Sequence, residues 1–189
     1  TPNTPTTYSV NVSSAICNNN FTDTVTVFLR PQPVMSILPD SAMVCVPGSV
    51  QFTDNSVTGD INDPITSWLW DFGNGDSSTL QNPNYLFTTP GTKFVNLTVT
   101  TTEGCTNNSF SGPIIIRAYP TPDVNFSINS DILKLPYTDL ITKNESIGAN
   151  QFLWDFGDGV TSAEISPKHM YQDVGIFDVM LVGTNAQGC

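Results

Sequence analysis

Apolar and polar residues alternate one for one along most of this chain, the period of a strand with one buried face. Trp68, Trp70 and Phe72 share one face, with Leu69 and Asp71 on the other, and Phe152, Trp154 and Phe156 stand in the same way against Leu153 and Asp155. Further alternating stretches run over 49–54, 92–100, 124–128 and 176–182, and Ile114-Ile115-Ile116 is a short apolar run. Turn signals separate them: Pro47-Gly48, Gly59-Asp60, Gly73-Asn74-Gly75, Pro90-Gly91 and Gly112-Pro113. No window sustains a helical period. Short strands punctuated by turns at this spacing predict an all-β fold built of sandwiches.

The alternation is itself repeated. Trp70 and Trp154 lie 84 residues apart, and the same offset relates Pro83 to Pro167, Phe87 to Tyr171, Gly91 to Gly175, Leu97 to Leu181 and Cys105 to Cys189. A constant offset without net insertion marks a tandem array of one structural unit. Three segments follow: residues 1–31 read as the end of an upstream unit, 32–119 as a complete unit, and 120–189 as a unit lacking its last strand. Proline-bearing links, Arg30-Pro31-Gln32-Pro33 and Arg117-Ala118-Tyr119-Pro120, follow a strand in each case and stiffen the connection.

The shared motif is W-D-F-G-[DN]-G, carried by Trp70, Asp71, Phe72 and Gly73 and again by Trp154, Asp155, Phe156 and Gly157. With the downstream proline, aromatic, glycine and alternating V-x-L, it resembles the PKD domain, the immunoglobulin-like repeat of the polycystic-kidney-disease type. The resemblance implies tandem immunoglobulin-like β-sandwiches, as in large surface adhesins of Bacteroidota, including gliding bacteria whose adhesins leave by type IX secretion. The first copy departs from the pattern at Asn74, where aspartate is usual, and at Lys93, which holds the inward position of Phe177. A bulge that shifts the strand, or a lysine snorkelling at its edge, would accommodate Lys93.

Composition narrows the function. Charged residues make up 12% of the chain and hydrophobic ones 39%, which describes β cores under a neutral polar surface. The net charge of −11 argues against nucleic acid and anionic membrane as partners, since both call for basic patches. No apolar run reaches the roughly 20 residues of a membrane-spanning helix, and the N-terminal residues lack the basic and apolar regions of a signal peptide. The reading is an interior or mature piece of a secreted, extracellular or cell-surface chain.

Four cysteines fit such a setting. The PKD resemblance implies a bridge between Cys45, early in the complete unit, and Cys105, in the Gly-Cys after its long strand. Cys17 and Cys189 are then left without an evident partner. There is no C-x-x-C, and the single histidine, His169, reads as a surface residue where a strand begins rather than as a catalytic base. Asp71 and Asp155 read as caps on their turns. Asp60, Asp63, Asp71 and Asp76 are the candidates for a structural calcium ion, which takes six to eight oxygens, although they form no D-x-D-x-D-G loop. No other cofactor is expected.

The expected function is non-catalytic: a stalk or spacer in a large cell-surface protein, an adhesin of the gliding-motility type, partnered by its neighbouring repeats. The alternative is a substrate-binding accessory module of a secreted protease or polysaccharide hydrolase, partnered by extracellular polysaccharide or protein surfaces. That role calls for an exposed aromatic platform, for which Tyr85, Phe94 and Tyr119 are the candidates.

Overall fold

The computed structural model describes residues 6–13, 20–27, 29–109, 112–134 and 138–189. Among them every regular element is a strand. In chain order these are β1 (Thr6–Ser13), β2 (Asn20–Val27), β3 (Ile37–Leu38), β4 (Ser41–Val46), β5 (Gly48–Gln51) and β6 (Thr53–Asp54). There follow β7 (Ile65–Asp71), β8 (Ser77–Ser78), β9 (Asn84–Phe87), β10 (Gly91–Thr101), β11 (Thr106–Asn108) and β12 (Ile114–Pro120). The last six are β13 (Phe126–Ile128), β14 (Leu140–Asn144), β15 (Gln151–Asp155), β16 (Thr161–Ser162), β17 (Lys168–His169) and β18 (Met180–Thr184).

Two compact units result. The first comprises Thr1–Ala42, Gln51–Tyr85 and Lys93–Ile116, and the second Met43–Val50, Leu86–Thr92 and Arg117–Cys189. Each unit thus draws on separated stretches of sequence.

The largest sheet runs in the order β4-β12-β10-β7-β8, with β11 on β10. Its central strand β10 shows why the sequence folds this way. Val95, Leu97 and Val99 are buried while Asn96, Thr98 and Thr100 are half-buried, as one-for-one alternation demands. In the first unit, Phe52, Trp70, Phe72, Val95, Leu97, Val99, Ile114 and Ile116 are buried. Phe52 packs its ring against both Trp70 (5.4 Å) and Phe72 (5.8 Å). Pairing of β7 with β10 is regular from Asn96↔Asp71 to Thr100↔Ser67 and then slips at Thr100/Thr101. Lys93 is half-buried and Phe94 faces solvent at 53% exposure, so Lys93 keeps the phase of Val95, Leu97 and Val99.

The strands β1 and β2 form a two-stranded antiparallel sheet in register from Thr6↔Val27 to Ser13↔Asn20. Its described side chains are exposed, Tyr8, Val10, Val25 and Val27 among them. Cys17 lies outside the described residues.

In the second unit, two three-stranded sheets, β13-β14-β17 and β16-β15-β18, enclose a core of Leu140, Trp154, Phe156, Tyr171 and Leu181. Phe126, Leu133, Phe152, Phe177 and Val179 pack against it while remaining partly exposed. Cys45 is bridged to Cys189 (Cα–Cα 5.5 Å), and Cys105 is a half-buried free thiol. This corrects the expected Cys45–Cys105 pair. A disulfide requires Cα atoms about 4.4–6.8 Å apart, and the Met43–Val50 segment that carries Cys45 folds with the unit that contains Cys189, whereas Cys105 folds with the first unit.

Candidate functional site: the aromatic turn of each repeat

Each W-D-F-G motif ends a strand and enters a turn that its own side chains hold together. Trp70 is fully buried and donates its indole N–H to the carbonyls of Leu80 (3.0 Å) and Gln81 (3.3 Å). Trp154 is equally buried and donates to the Glu164 carbonyl at 3.0 Å, at the position equivalent to Leu80. Asp71 Oδ1 accepts the Gly73 amide at 2.8 Å, and Asp155 Oδ1 the Gly157 amide at 2.9 Å. The amides of Phe72 and Phe156 close the loop on the carbonyls of Asp76 and Val160, each at 3.1 Å. Gly73 (φ 72°) and Gly157 (φ 79°) are required twice over. Their φ is left-handed, and a Cβ would meet the carbonyl oxygen of Phe94 at 2.7 Å or of Asp178 at 2.8 Å.

Beyond the backbone the two turns differ. Phe72 stacks on Tyr85 (3.8 Å, 10°), whose hydroxyl donates to Asp76 and accepts from the Asn74 amide at 2.7 Å. Burial and the Asp76 hydrogen bond push the Tyr85 phenol above its ordinary value. In the other repeat Phe156 stacks on His169 (4.2 Å, 11°), whose Nε2 lies 2.7 Å from Asp158 Oδ2. Burial would raise the Asp158 carboxyl, but the Val160 amide and the His169 contact hold it below its usual value. Tyr171 meets His169 edge-on, stacks on Phe177 (4.4 Å) and donates its hydroxyl to the Phe156 carbonyl at 2.9 Å. His169 is therefore a packed residue of the turn, its side chain 9% exposed, and not the surface residue expected.

The proposed calcium candidates are dispersed among other partners. Asp60 pairs with Arg30 at 3.0 Å. Asp63 accepts the Thr101 hydroxyl at 2.9 Å and the Glu103 amide at 2.8 Å. Its carboxyl lies below its ordinary value: burial raises it, and the Glu103 amide, Thr101 hydroxyl, Arg30 charge and Cys105 thiol more than compensate. Asp71 caps Gly73, and Asp76 holds Tyr85. Among the described residues no three of His, Cys, Asp and Glu converge as a metal site. Of the aromatic candidates, Tyr85 lies against Phe72, Phe94 is exposed, and Tyr119 belongs to the second unit.

Sequence reasoning placed Trp68 on the face of Trp70 and Phe72 but missed that its half-buried indole donates to Asp54 Oδ2 at 2.6 Å, and it missed the buried Asp63–Thr101 pair. The signal for Asp63 was an aspartate directly before proline at the start of β7. That places a carboxylate at a strand end but does not say which amides it meets.

A motif whose polar atoms are spent on its own turn is a device for building a sandwich, and the class it defines is the tandem immunoglobulin-like β-sandwich repeat. The family model described as "PKD domain" matches residues 30–114 and 118–189, and the chain belongs to that family. Among curated proteins, it is 28% identical over 91 residues to collagenase ColA of Bacillus cereus, covering 43% of this chain and 10% of the collagenase. It is 33% identical over 70 residues to collagenase ColQ1 of Bacillus cereus strain Q1, covering 36% of this chain and 7% of that protein. The chain thus spans a tenth or less of the curated relatives it matches. Among solved structures, the PKD1 domain of Vibrio anguillarum Epp aligns at 28% identity and TM-score 0.39, over 49% of this chain and 99% of that one. The PKD1 domain of the Vibrio cholerae metalloprotease PrtV aligns at 30% and 0.37, over 48% and 99%.

Proposed function

We propose that this segment is a non-catalytic spacer of a large extracellular protein, a stalk whose repeats carry other domains away from their anchor, as in cell-surface adhesins of the gliding-motility type. The observation that supports it most is the internal use of the motif. Both aromatic turns repeat the same backbone at an 84-residue offset, and the side-chain donors and acceptors described for them meet partners in their own repeat. The Cys45–Cys189 disulfide suits an oxidising compartment, and no helix among the described residues is long and apolar enough to cross a membrane.

The similarity to two collagenases favours a second reading, an accessory module that helps a secreted hydrolase hold its substrate. The two readings part on binding. Co-sedimentation of the full chain with fibrous collagen and with insoluble polysaccharides is expected to leave it in the supernatant, and small-angle scattering is expected not to change on adding calcium. Saturable retention on either polymer would overturn the spacer and establish the accessory module.

A further inference from the structure

The two aromatic turns place their charge differently. By the 84-residue offset Asn74 corresponds to Asp158, Asp76 to Val160 and Tyr85 to His169. The later turn carries its carboxylate at the first of these positions, where Oδ1 accepts the Val160 amide at 3.1 Å and Oδ2 meets His169 at 2.7 Å. The earlier turn carries it two residues on, at Asp76, and has a side-chain amide at the first position. Asn74 Oδ1 accepts the Asp76 amide at 3.2 Å, in the manner of Asp158. Its Nδ2 does what a carboxylate could not, donating to the Tyr85 hydroxyl at 2.7 Å and to Asp76 Oδ2 at 3.2 Å.

That amide stands in the only Asn-Gly pair of the chain. The main-chain nitrogen after an asparagine is the nucleophile that closes its side chain to a cyclic imide, and glycine presents that nitrogen with the least hindrance. Gly75 is exposed, and even a Cβ added to it would meet no atom within 4 Å. Its amide donates to no group among the described residues. At two of the Asn-Ser pairs, 55–56 and 108–109, the serine amide is instead bound, to Asp54 Oδ1 (2.9 Å) and to the Leu97 carbonyl (3.0 Å). The Asp76 amide on Asn74 Oδ1 closes a side-chain turn around the Gly75 nitrogen, and it stabilises the negative charge that develops on Oδ1 when Cγ is attacked. One contact set opposes closure: the leaving nitrogen, Nδ2, is held by Tyr85 and Asp76.

We propose that Asn74 is a self-modification site, an asparagine that deamidates in the folded repeat at a rate gated by the Tyr85–Asp76 clamp and whose product opens that clamp. The Gly75 nitrogen bonds to Cγ and gives its proton to solvent. The Cγ–Nδ2 bond breaks, and Nδ2 takes up a proton and leaves as ammonia. Water then opens the imide. Cleavage at Cγ leaves an aspartate, and cleavage at the main-chain carbonyl leaves an isoaspartyl link that lengthens the main chain by one carbon. Either product sets a carboxylate against Asp76 and removes the N–H groups that Tyr85 and Asp76 accept.

The test follows the intact chain in mildly alkaline buffer by peptide mapping. The peptide spanning 74–75 should gain the mass of –OH for –NH2 and become a substrate for isoaspartyl methylation, while those spanning 55–56 and 108–109 stay unchanged. Tyr85→Phe, which takes one acceptor from Nδ2, should speed the change roughly fivefold, the effect of one lost hydrogen bond on a barrier. Asn74→Gln should abolish it. Asn74→Asp, the chemical equivalent of one product, should lose exchange protection roughly fivefold at the Phe72 and Asp76 amides and leave those of Phe156 and Val160 as they were. An Asn74 that keeps its amide in the folded chain while the urea-unfolded chain loses it would overturn the proposal. So would a Tyr85→Phe chain no faster than the wild type, or an Asn74→Asp chain with its protection unchanged.

Discussion

The turns around Cys105 and Cys189 have the same backbone and different fates. In the first, Thr101 donates its amide to the Cys105 carbonyl (3.0 Å), Gly104 donates back to Thr101 (3.0 Å), and the Cys105 amide is held by Thr101 Oγ1 (3.0 Å). In the second, Asn185, Gly188 and Cys189 repeat those contacts at 2.8, 3.0 and 3.0 Å, with Asn185 Oδ1 in place of the threonine hydroxyl. One cysteine is nevertheless a free thiol beside a buried aspartate and the other half of a disulfide. The aromatic turns teach the same lesson. Glycine, tryptophan and the capping aspartate fix the backbone, while Tyr85 or His169 supplies an interchangeable clamp. The repeat therefore specifies a frame, and what each copy does with the frame is set by side chains outside the motif.

The sharpest way to break the comparison is to remove the two tryptophans in turn. Trp70→Ala and Trp154→Ala should each destabilise their own repeat by about 3–5 kcal/mol, the range for deleting a buried aromatic. Trp70→Ala is expected at the upper end, since its surroundings are closed by Phe52, Phe72 and the β10 valines, whereas a cleft beside the core around Trp154 lets that site collapse. Urea unfolding, with hydrogen exchange to show which repeat opens, checks both the size and the order. Equal losses would mean that the two tryptophan sites relax alike.

The cysteines give the next largest effect. A bridge between residues 144 apart in sequence removes chain entropy worth about 5 kcal/mol in the loop-closure relation, and measured losses run to about 2–5 kcal/mol. Cys189→Ser should destabilise the second unit within that range, while Cys105→Ser should change stability by less than about 1 kcal/mol, since it forfeits only weak thiol contacts. Peptide mapping without reductant should recover the Cys45 peptide joined to that of Cys189. Recovery of Cys45 joined to Cys105 would reverse the correction and restore the pairing inferred from the family resemblance.

These outcomes bear on what the sequence could reveal. The 84-residue offset and one-for-one alternation located Trp70, Trp154, both glycine turns and the all-β class, because each depends on near neighbours in the chain. The disulfide was not legible. Its pairing depends on Met43–Val50 folding with the second unit, a long-range fact that no local pattern encodes. Asp63 was legible as an acid but its partners were not, since the Glu103 amide and the Thr101 hydroxyl that occupy it come from some forty residues away. His169 was misread for the same reason. Its stacking on Phe156 and contact with Asp158 arise only when β17 lies beside the turn.

The clamp itself yields the smallest effect and the most specific one. The Asp158 carboxyl is held below its ordinary value in the folded repeat, so it contributes stability that is present above the unfolded value of about 3.9 and lost as pH falls through the lower folded value. Tyr85 has the opposite sign. Its phenol is raised in the folded state, so its contribution is present below the unfolded value of about 10 and lost as pH rises through the higher folded value. The later repeat should therefore lose its clamp in acid and the earlier one in alkali. Asp158→Asn should flatten the acid limb of the later repeat's stability without touching the alkaline limb of the earlier, and Tyr85→Phe should do the reverse, each at a cost of about 1 kcal/mol near neutrality. Melting curves between pH 2.5 and pH 11, resolved by repeat through hydrogen exchange, read both limbs. If Tyr85→Phe also flattened the acid limb of the later repeat, the two clamps would not be independent, and the frame could no longer be treated as a unit that each copy fills in its own way.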